Sequence, residues 1–487
     1  MSRQLSWNKL KRHHIPEWMR EAKFGIYTHW GIYSVPACGS NVSWYPCNMY
    51  REGTKQYEFH CEHFGHPSKF GYKDFIPMFT GEHFDPDEWA ELFSKAGAKF
   101  AGPVAEHHDG FSMWNSKVNP WNSAKMGPKR DVVGELEKAV RKQNMKYMIA
   151  LHHAENWKFF PHWIKEYDTA DPQYAGLYGP PHNTDWDDSY IHGGVHNSNG
   201  KIDVWESQDK PNKEFLDLWL NKAKEVIDHC SPDMIWFDFG LGFVPESYKQ
   251  KFLKYYLDTS ESKGIDPLVT YKYHDMPVGC GMIDLELGRY DNLTYMEWLT
   301  DTTVDDGEAW GYMYNATYKT PKTLIHYLVD NVSKNGYLLL NVGPNSKGEI
   351  PSEAKEILLE IGRWLERNGE AIYGTTPWIT YGQGPTKLEV SGSFNEGKTP
   401  QYTSEDIRFT VKDENLYAIV LGWPKNGAVV KDLPVSFREN EIESISMIGS
   451  DEPINWKVES NNLYLFCPES KPCEHAFVYK IVRKDMD

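Results

Sequence analysis

Between about residues 24 and 343 the chain alternates short apolar runs, rich in β-branched and aromatic residues, with amphipathic stretches of helical period. That alternation predicts βα units around a parallel sheet. The clearest unit opens with Asp85 as N-cap and Pro86 at the first helical position, continues with Trp89, Leu92, Phe93 and Ala96 at helical spacing, and stops at Gly97. Residues 24–27, 99–105, 147–151, 234–237, 267–270, 282–285 and 337–340 read as strands. Nearly every one runs into a polar cluster: Thr28-His29-Trp30, Glu106-His107-His108-Asp109, His152-His153, Asp238, Tyr271-Lys272, Glu286 and Asn341. Polar chemistry gathered after the carboxyl ends of strands is where the ligand site of a (β/α)8 barrel lies. The pattern predicts an irregular barrel of roughly seven or eight strands, with one or two weak intervening helices.

A last helical stretch, with Ala354, Ile357, Leu358, Ile361 and Leu365 on one face, precedes a change of period. Beyond about Tyr373 strict alternation takes over, as in residues 407–411 and 416–420, joined by the turn Lys412-Asp413-Glu414-Asn415. We therefore expect a barrel over residues 1–375 and a C-terminal antiparallel β-sandwich over 376–487. The Gly-, Ser- and Pro-rich segment 391–402 reads as a long loop within the sandwich.

The 487 residues suffice for two such domains, and the formal net charge of -17 argues against nucleic acid or an anionic membrane as partner. Aromatic content points the other way, towards a neutral ligand: 14% of residues, 19 of them Trp, suit stacking on the C–H faces of sugars. The seven cysteines form no CxxC pair, and their odd number implies neither a zinc knuckle nor a complete disulfide framework. Cys467 and Cys473 are close enough in sequence to close a small loop, which spacing alone leaves open. No apolar run is long enough to span a membrane, and the N-terminus lacks a signal-peptide core, so the expectation is a cytoplasmic protein or one whose leader has been removed.

The strongest chemical candidate is Asp238, one carboxylate at the tip of the apolar run Met234-Ile235-Trp236-Phe237. A buried strand delivering a single acid beside aromatic rings suits a nucleophile on a barrel scaffold, although strand-end aspartates also cap turns. Adjacent His107 and His108 raise the alternative of a metal site, but no His-Glu-x-x-His helix is present and neighbouring histidines at a strand end point apart. No cofactor is expected.

Read in order, Gly25-Ile26-Tyr27-Thr28-His29-Trp30-Gly31, Glu106-His107-His108-Asp109-Gly110-Phe111, Trp236-Phe237-Asp238, Asn331-Val332-Ser333-Lys334-Asn335-Gly336-Tyr337-Leu338-Leu339-Leu340-Asn341-Val342-Gly343-Pro344 and Asn368-Gly369-Glu370-Ala371-Ile372-Tyr373-Gly374 resemble the α-L-fucosidases of glycoside hydrolase family 29. The resemblance covers about residues 15 to 378. It implies a retaining, exo-acting enzyme on fucose-containing glycans, with Asp238 as nucleophile. The acid/base does not keep one position in that family; Glu286 is the first candidate and Glu297 the second. The resemblance carries substrate contacts onto His29, Trp44, His107, His108 and Trp236, for which neutral imidazoles are suited because one nitrogen donates while the other accepts.

Departures from the family pattern bear on the rim of the site. Ser43-Trp44 stands where many relatives have Glu-Trp, His152-His153 where they have a tyrosine pair, Lys272 where arginine is common, and Phe239 where glycine is frequent. They suggest a decorated or branched fucoside, such as a sulfated one, with Lys272 or His153 near the substituent. An α-L-galactosidase on the same scaffold and a non-catalytic fucose-binding protein are the rival readings. Oligomeric state is open at this level.

Overall fold

A computed structural model describes residues 5–12, 14–182, 210–272, 275–307, 309–398, 401–434 and 437–484. The first four residues of the stretch read above for a signal core therefore lie outside the described residues. Eight parallel strands close into a barrel in sequence order: β1 (Phe24–Thr28), β2 (Phe100–Glu106), β3 (Lys146–Leu151), β4 (Met234–Phe237), β5 (Leu268–Lys272), β6 (Met282–Glu286), β7 (Trp298–Thr303) and β8 (Gly336–Val342). The ring is completed by β8 against β1, with Asn341 opposite Tyr27. Helices Pro86–Lys95, Val132–Lys142, Lys213–Cys230, Glu246–Ser262 and Pro321–Ser333 pack outside it. Among the described residues no helix stands between β5 and β6 or between β6 and β7, which is what makes the barrel irregular.

Local sequence chemistry accounts for the best-defined helix. The Asp85 side chain accepts from the backbone N–H groups of Asp87 (3.0 Å) and Glu88 (3.1 Å), satisfying two donors of the first turn. At the other end Gly97 takes a φ of 90°, and a Cβ there would lie 2.7 Å from the Tyr373 hydroxyl. Only glycine fits both constraints.

Strand β7 is absent from the segments predicted above, and its composition explains why. Trp-Leu-Thr-Asp-Thr-Thr shows no apolar alternation, yet all six residues are buried. Their polar groups are satisfied on both faces: inside the barrel Asp301 accepts from the Tyr27 hydroxyl (2.8 Å) and Lys272 Nζ (3.1 Å), and on the outer face Thr300 Oγ1 donates to the Leu285 carbonyl (2.6 Å). A strand whose inward face is polar and internally paired is invisible to a hydrophobic-period reading.

The C-terminal part is wholly antiparallel. Strands β9 (Thr376–Gln383), β10 (Ile407–Lys412), β11 (Asn415–Val420), β12 (Ala428–Val430), β13 (Ile442–Met447), β14 (Trp456–Glu459), β15 (Asn462–Leu465) and β16 (Phe477–Arg483) form a five-stranded sheet, β13-β16-β11-β10-β9, and a three-stranded one, β12-β15-β14. Phe409, Leu416, Val420, Leu463, Leu465 and Ile481 belong to the shared core. β10 and β11 are a hairpin closed at Lys412 opposite Asn415, with Asp413 left-handed at φ 52°. Trp378 packs on Phe409 (5.2 Å between rings) and Trp423 on Phe477 (4.9 Å). We propose the division between the two parts at 375/376, immediately before β9. Cys467 and Cys473 are not bonded to one another; their thiols donate to the carbonyls of Pro424 and Ala476 respectively. Among the described residues no helix is long and apolar enough to cross a membrane.

A buried charge cluster joins barrel to sandwich. Asp330, in the helix Pro321–Ser333, accepts from Arg408 Nε of β10 (2.6 Å) and Lys334 Nζ (2.8 Å), with Arg289 Nη1 at 3.4 Å. Burial alone would raise its pKa, but Lys334, Arg408 and Arg289 pull it below the usual carboxylate range. A depressed carboxyl contributes stability above its unfolded pKa of about 3.9 and loses it as pH falls through the folded value. Asp330→Ala is expected to cost about 3–5 kcal/mol near neutrality, because it strands buried cations. Thermal unfolding at pH 7 and in acid checks this: the gap from wild type should narrow in acid, and an unchanged midpoint at pH 7 would refute it.

Candidate active site at the barrel mouth

Asp238 follows directly on β4 and lies at the mouth of the barrel. Its Oδ2 is 3.1 Å from His152 Nδ1 and 3.3 Å from His108 Nε2, while Oδ1 is buried and has no protein hydrogen-bond partner. The histidine protonation states follow from the remaining contacts. His108 Nδ1 faces the His152 carbonyl at 2.8 Å and must donate to it, so the nitrogen turned to Asp238 presents a favourable N–H only in the imidazolium. Accordingly, although burial opposes it, Asp238 raises the His108 pKa above the usual imidazole value. His152 is held below its usual value by burial, so it is neutral, with its proton on Nδ1 towards Asp238 and an unpartnered Nε2 left as acceptor. Despite burial, His152 and His108 hold the Asp238 carboxyl well below the usual range. Asp238 is therefore ionised at neutral pH.

His29, the residue after β1, is fixed by a similar chain of contacts. The Asn341 side chain of β8 donates through Nδ2 to the Trp310 carbonyl (2.6 Å) and Thr303 Oγ1 (2.9 Å), which turns its Oδ1 towards His29 Nδ1 (2.8 Å). The proton of His29 thus sits on Nδ1, and Nε2 is an acceptor. Burial holds both His29 and His107 well below the usual imidazole value, and both are neutral. Rings enclose the histidines: Trp310 lies 5.4 Å from His29, Tyr33 5.0 Å from His107, Trp44 5.4 Å from His108, and Trp236 5.2 Å from His152.

The second carboxylate stands at the end of β6. Glu286 Oε2 is 3.4 Å from Lys272 Nζ, and Lys272, the last residue of β5, also contacts Asp284 (2.5 Å) and Asp301 (3.1 Å). One cation among three carboxylates cannot hold them all ionised. Burial, with the charges of Asp238 and Asp301, pushes Glu286 up to about 8 against the opposing pull of Lys272. Burial and Asp301 raise Asp284 well above its usual value too.

The structure brings Asp238, Glu286, His29, His107, His108, Trp44 and Trp236 to the same end of the barrel; of the other expected residues, it places Glu297 and His153 away from the site and Lys272 beside Glu286, bound to carboxylates. Glu297 immediately precedes β7 and so lies at the opposite, N-terminal end, where it accepts from Arg20 (2.9 and 3.0 Å) and from the Tyr337 hydroxyl. His153 faces outward: its Nε2 is 3.1 Å from the Trp219 carbonyl, its ring stacks on that indole, and the site-facing histidine is His152. Lys272 is in the barrel interior, and its ammonium is committed to carboxylates. The expected sulfate contact through Lys272 or His153 therefore has no support in the geometry. Sequence reasoning also gave no site role to Trp310, Glu155 and Asp275, and read Asn341 only as a polar residue at a strand end. Burial pushes Glu155 and Asp275 up to about 7, and Glu155 carries a buried, unpartnered Oε2. A carboxylate two residues after the His152-His153 pair was the signal available for Glu155.

Among the described residues, two groups of side chains have the donor types to hold a cation: His29, His107 and His152, and His108, His152 and Asp238, each with ligand atoms within 4.8 Å of one another. The neutral nitrogens of His29, His107 and His152 match the hydroxyls of a sugar, and an ionised carboxylate at the same barrel mouth as a protonated one suits glycosidic chemistry.

Comparison with known proteins agrees with this chemistry. The α-L-fucosidase family model matches residues 2–370, and the model of the α-L-fucosidase C-terminal domain matches residues 401–482. The chain is 32% identical over 493 residues to the tissue α-L-fucosidase of Rattus norvegicus, covering 98% of this chain and 92% of that one. Its fold is similar to that of Thermotoga maritima α-fucosidase in complex with fucose (28% identity, TM-score 0.75, 99% and 100% of the two chains). The same holds for that enzyme with a mechanism-based inhibitor (29% identity, TM-score 0.76, the same coverage). The chain thus belongs to the α-L-fucosidases, glycoside hydrolases of family 29.

Proposed function

We propose that the chain releases terminal α-L-fucosyl residues from glycans by double displacement. Asp238 attacks the anomeric carbon as Glu286 gives its proton to the departing glycosidic oxygen. The resulting Glu286 carboxylate then takes a proton from the water that opens the glycosyl ester. The observation that carries this reading is the contrast between two carboxyl groups at one barrel mouth. His108 and His152 favour the ionised form of Asp238, whereas burial favours the protonated form of Glu286 near neutrality. His29, His107 and His152 offer neutral nitrogens to the sugar hydroxyls, and Trp44, Trp236 and Trp310 supply apolar surface. Thermotoga maritima α-fucosidase, a relative by fold and sequence, is described in complex with fucose and with a mechanism-based inhibitor, which supports a fucose-shaped site here.

The stereochemistry tests it. Proton NMR during hydrolysis of an aryl α-L-fucoside should show α-L-fucose first, with the β anomer arising only by mutarotation. Initial release of the β anomer would eliminate double displacement, and a folded protein that binds fucose without turnover would favour the binding-protein reading.

A further inference from the structure

The strand end bearing Glu286 is not held by the barrel alone. A loop of the sandwich, between β9 and β10, lies along it. Gly392 and Arg289 exchange backbone hydrogen bonds of 3.0 Å in both directions. The Phe394 N–H donates to the carbonyl of Glu286 itself (2.7 Å), and those of Asn395 and Glu396 donate to the Leu287 carbonyl (3.0 and 2.9 Å). Asn395 Nδ2 adds bonds to the carbonyls of Arg289 (2.9 Å) and Val390 (2.7 Å). Glu396 accepts from Thr302 Oγ1 of β7 (2.6 Å) and pairs with Lys319 (2.9 Å). The approach is close enough that a Cβ on Gly288 would sit 2.1 Å from the Gly392 carbonyl.

On this brace stands an aromatic ring with no packing reason to be there. Phe394 is 53% exposed, and its backbone is left-handed at φ 57°, a conformation that disfavours bulky side chains. Its amide is hydrogen-bonded to the very residue that would protonate the glycosidic oxygen. Any leaving group must lie beside that oxygen, and the exposed ring is carried by a backbone bonded to the same residue.

We propose that Phe394, supplied by the C-terminal domain, forms the leaving-group subsite: an apolar platform for the C–H face of the hexopyranose to which fucose is attached. This rests on the reading of Glu286 as acid. The sandwich then has a part in substrate choice, and Asn395 and Glu396 act as positioning residues for the platform.

The test uses Phe394→Gly, which suits the positive φ, and Phe394→Trp, assayed on a fucosyl hexose disaccharide and on α-L-fucosyl fluoride, whose leaving group has no ring and needs no general acid. Phe394→Gly should lower kcat/KM on the disaccharide about three- to tenfold and leave the fluoride unchanged, while Phe394→Trp keeps the disaccharide rate. Equal losses on both substrates would reduce Phe394 to a structural role, and no change on either would remove the platform; both overturn the proposal. Failure of the Glu286 reading is separately visible, since Glu286→Gln would then hydrolyse the disaccharide normally.

Discussion

Asp238→Gly is expected to abolish turnover of an aryl α-L-fucoside, with a loss of about 10⁴-fold or more. No other carboxylate described at the mouth can take over its work. Glu286 is protonated near neutrality and flanked by Lys272, and burial pushes Glu155 and Asp275 towards their neutral forms. Removing the side chain opens a space beside His108 and His152 that a small anion can enter. Added azide should therefore restore part of the rate and yield β-L-fucosyl azide, the product of a single inversion. A variant retaining wild-type turnover, or a mechanism-based fluorinated fucoside that labels another residue in active enzyme, would remove Asp238 from the reaction.

Glu286→Gln should separate substrates by their need for a proton. On a disaccharide the loss is expected at about 10²- to 10⁴-fold, the range of general acid catalysis, whereas fucosyl fluoride should still form the glycosyl ester. The pH profile carries the sign. The acid must be protonated, so wild-type kcat/KM on the disaccharide falls as pH rises through about 8, and this basic limb should vanish in the variant. Azide should intercept the accumulated ester and give α-L-fucosyl azide, the product of two inversions. Glu297→Gln is the natural control, since its carboxylate is engaged by Arg20 and Tyr337 at the far end of the barrel. A basic limb that persists in Glu286→Gln and disappears in Glu297→Gln would reverse the assignment.

The contrast between these two glutamates shows what the amino-acid order can convey. Asp238, His107, His108 and Glu286 each follow an apolar run, so their place at the carboxyl ends of strands is legible from polarity alone. Glu297 precedes a strand that cannot be seen that way. β7 lines the barrel with Asp301 and Thr303, whose partners come from β1, β5 and β8, and no local pattern reveals such pairings. With β7 hidden, nothing in the sequence tells that Glu297 lies at the other end. The His152-His153 pair fails for a different reason. Which of two adjacent side chains turns inward depends on how the chain leaves β3, and only the carbonyl of Trp219, far along the sequence, claims His153. Lys272 is read as a rim cation until Asp284 and Asp301 are seen around it. The sandwich, by contrast, follows from alternation and a two-residue turn, but its reach back to Glu286 is purely tertiary.

The Asn341 side chain links His29 and Trp310 across the seam where the last strand meets the first. A nascent polypeptide lacking residues beyond about 335 would carry Asp238, His107 and Glu286 yet could not orient the imidazole of His29. A bound inhibitor should therefore select the fully sealed molecule and raise its resistance to unfolding with the logarithm of inhibitor concentration above its dissociation constant.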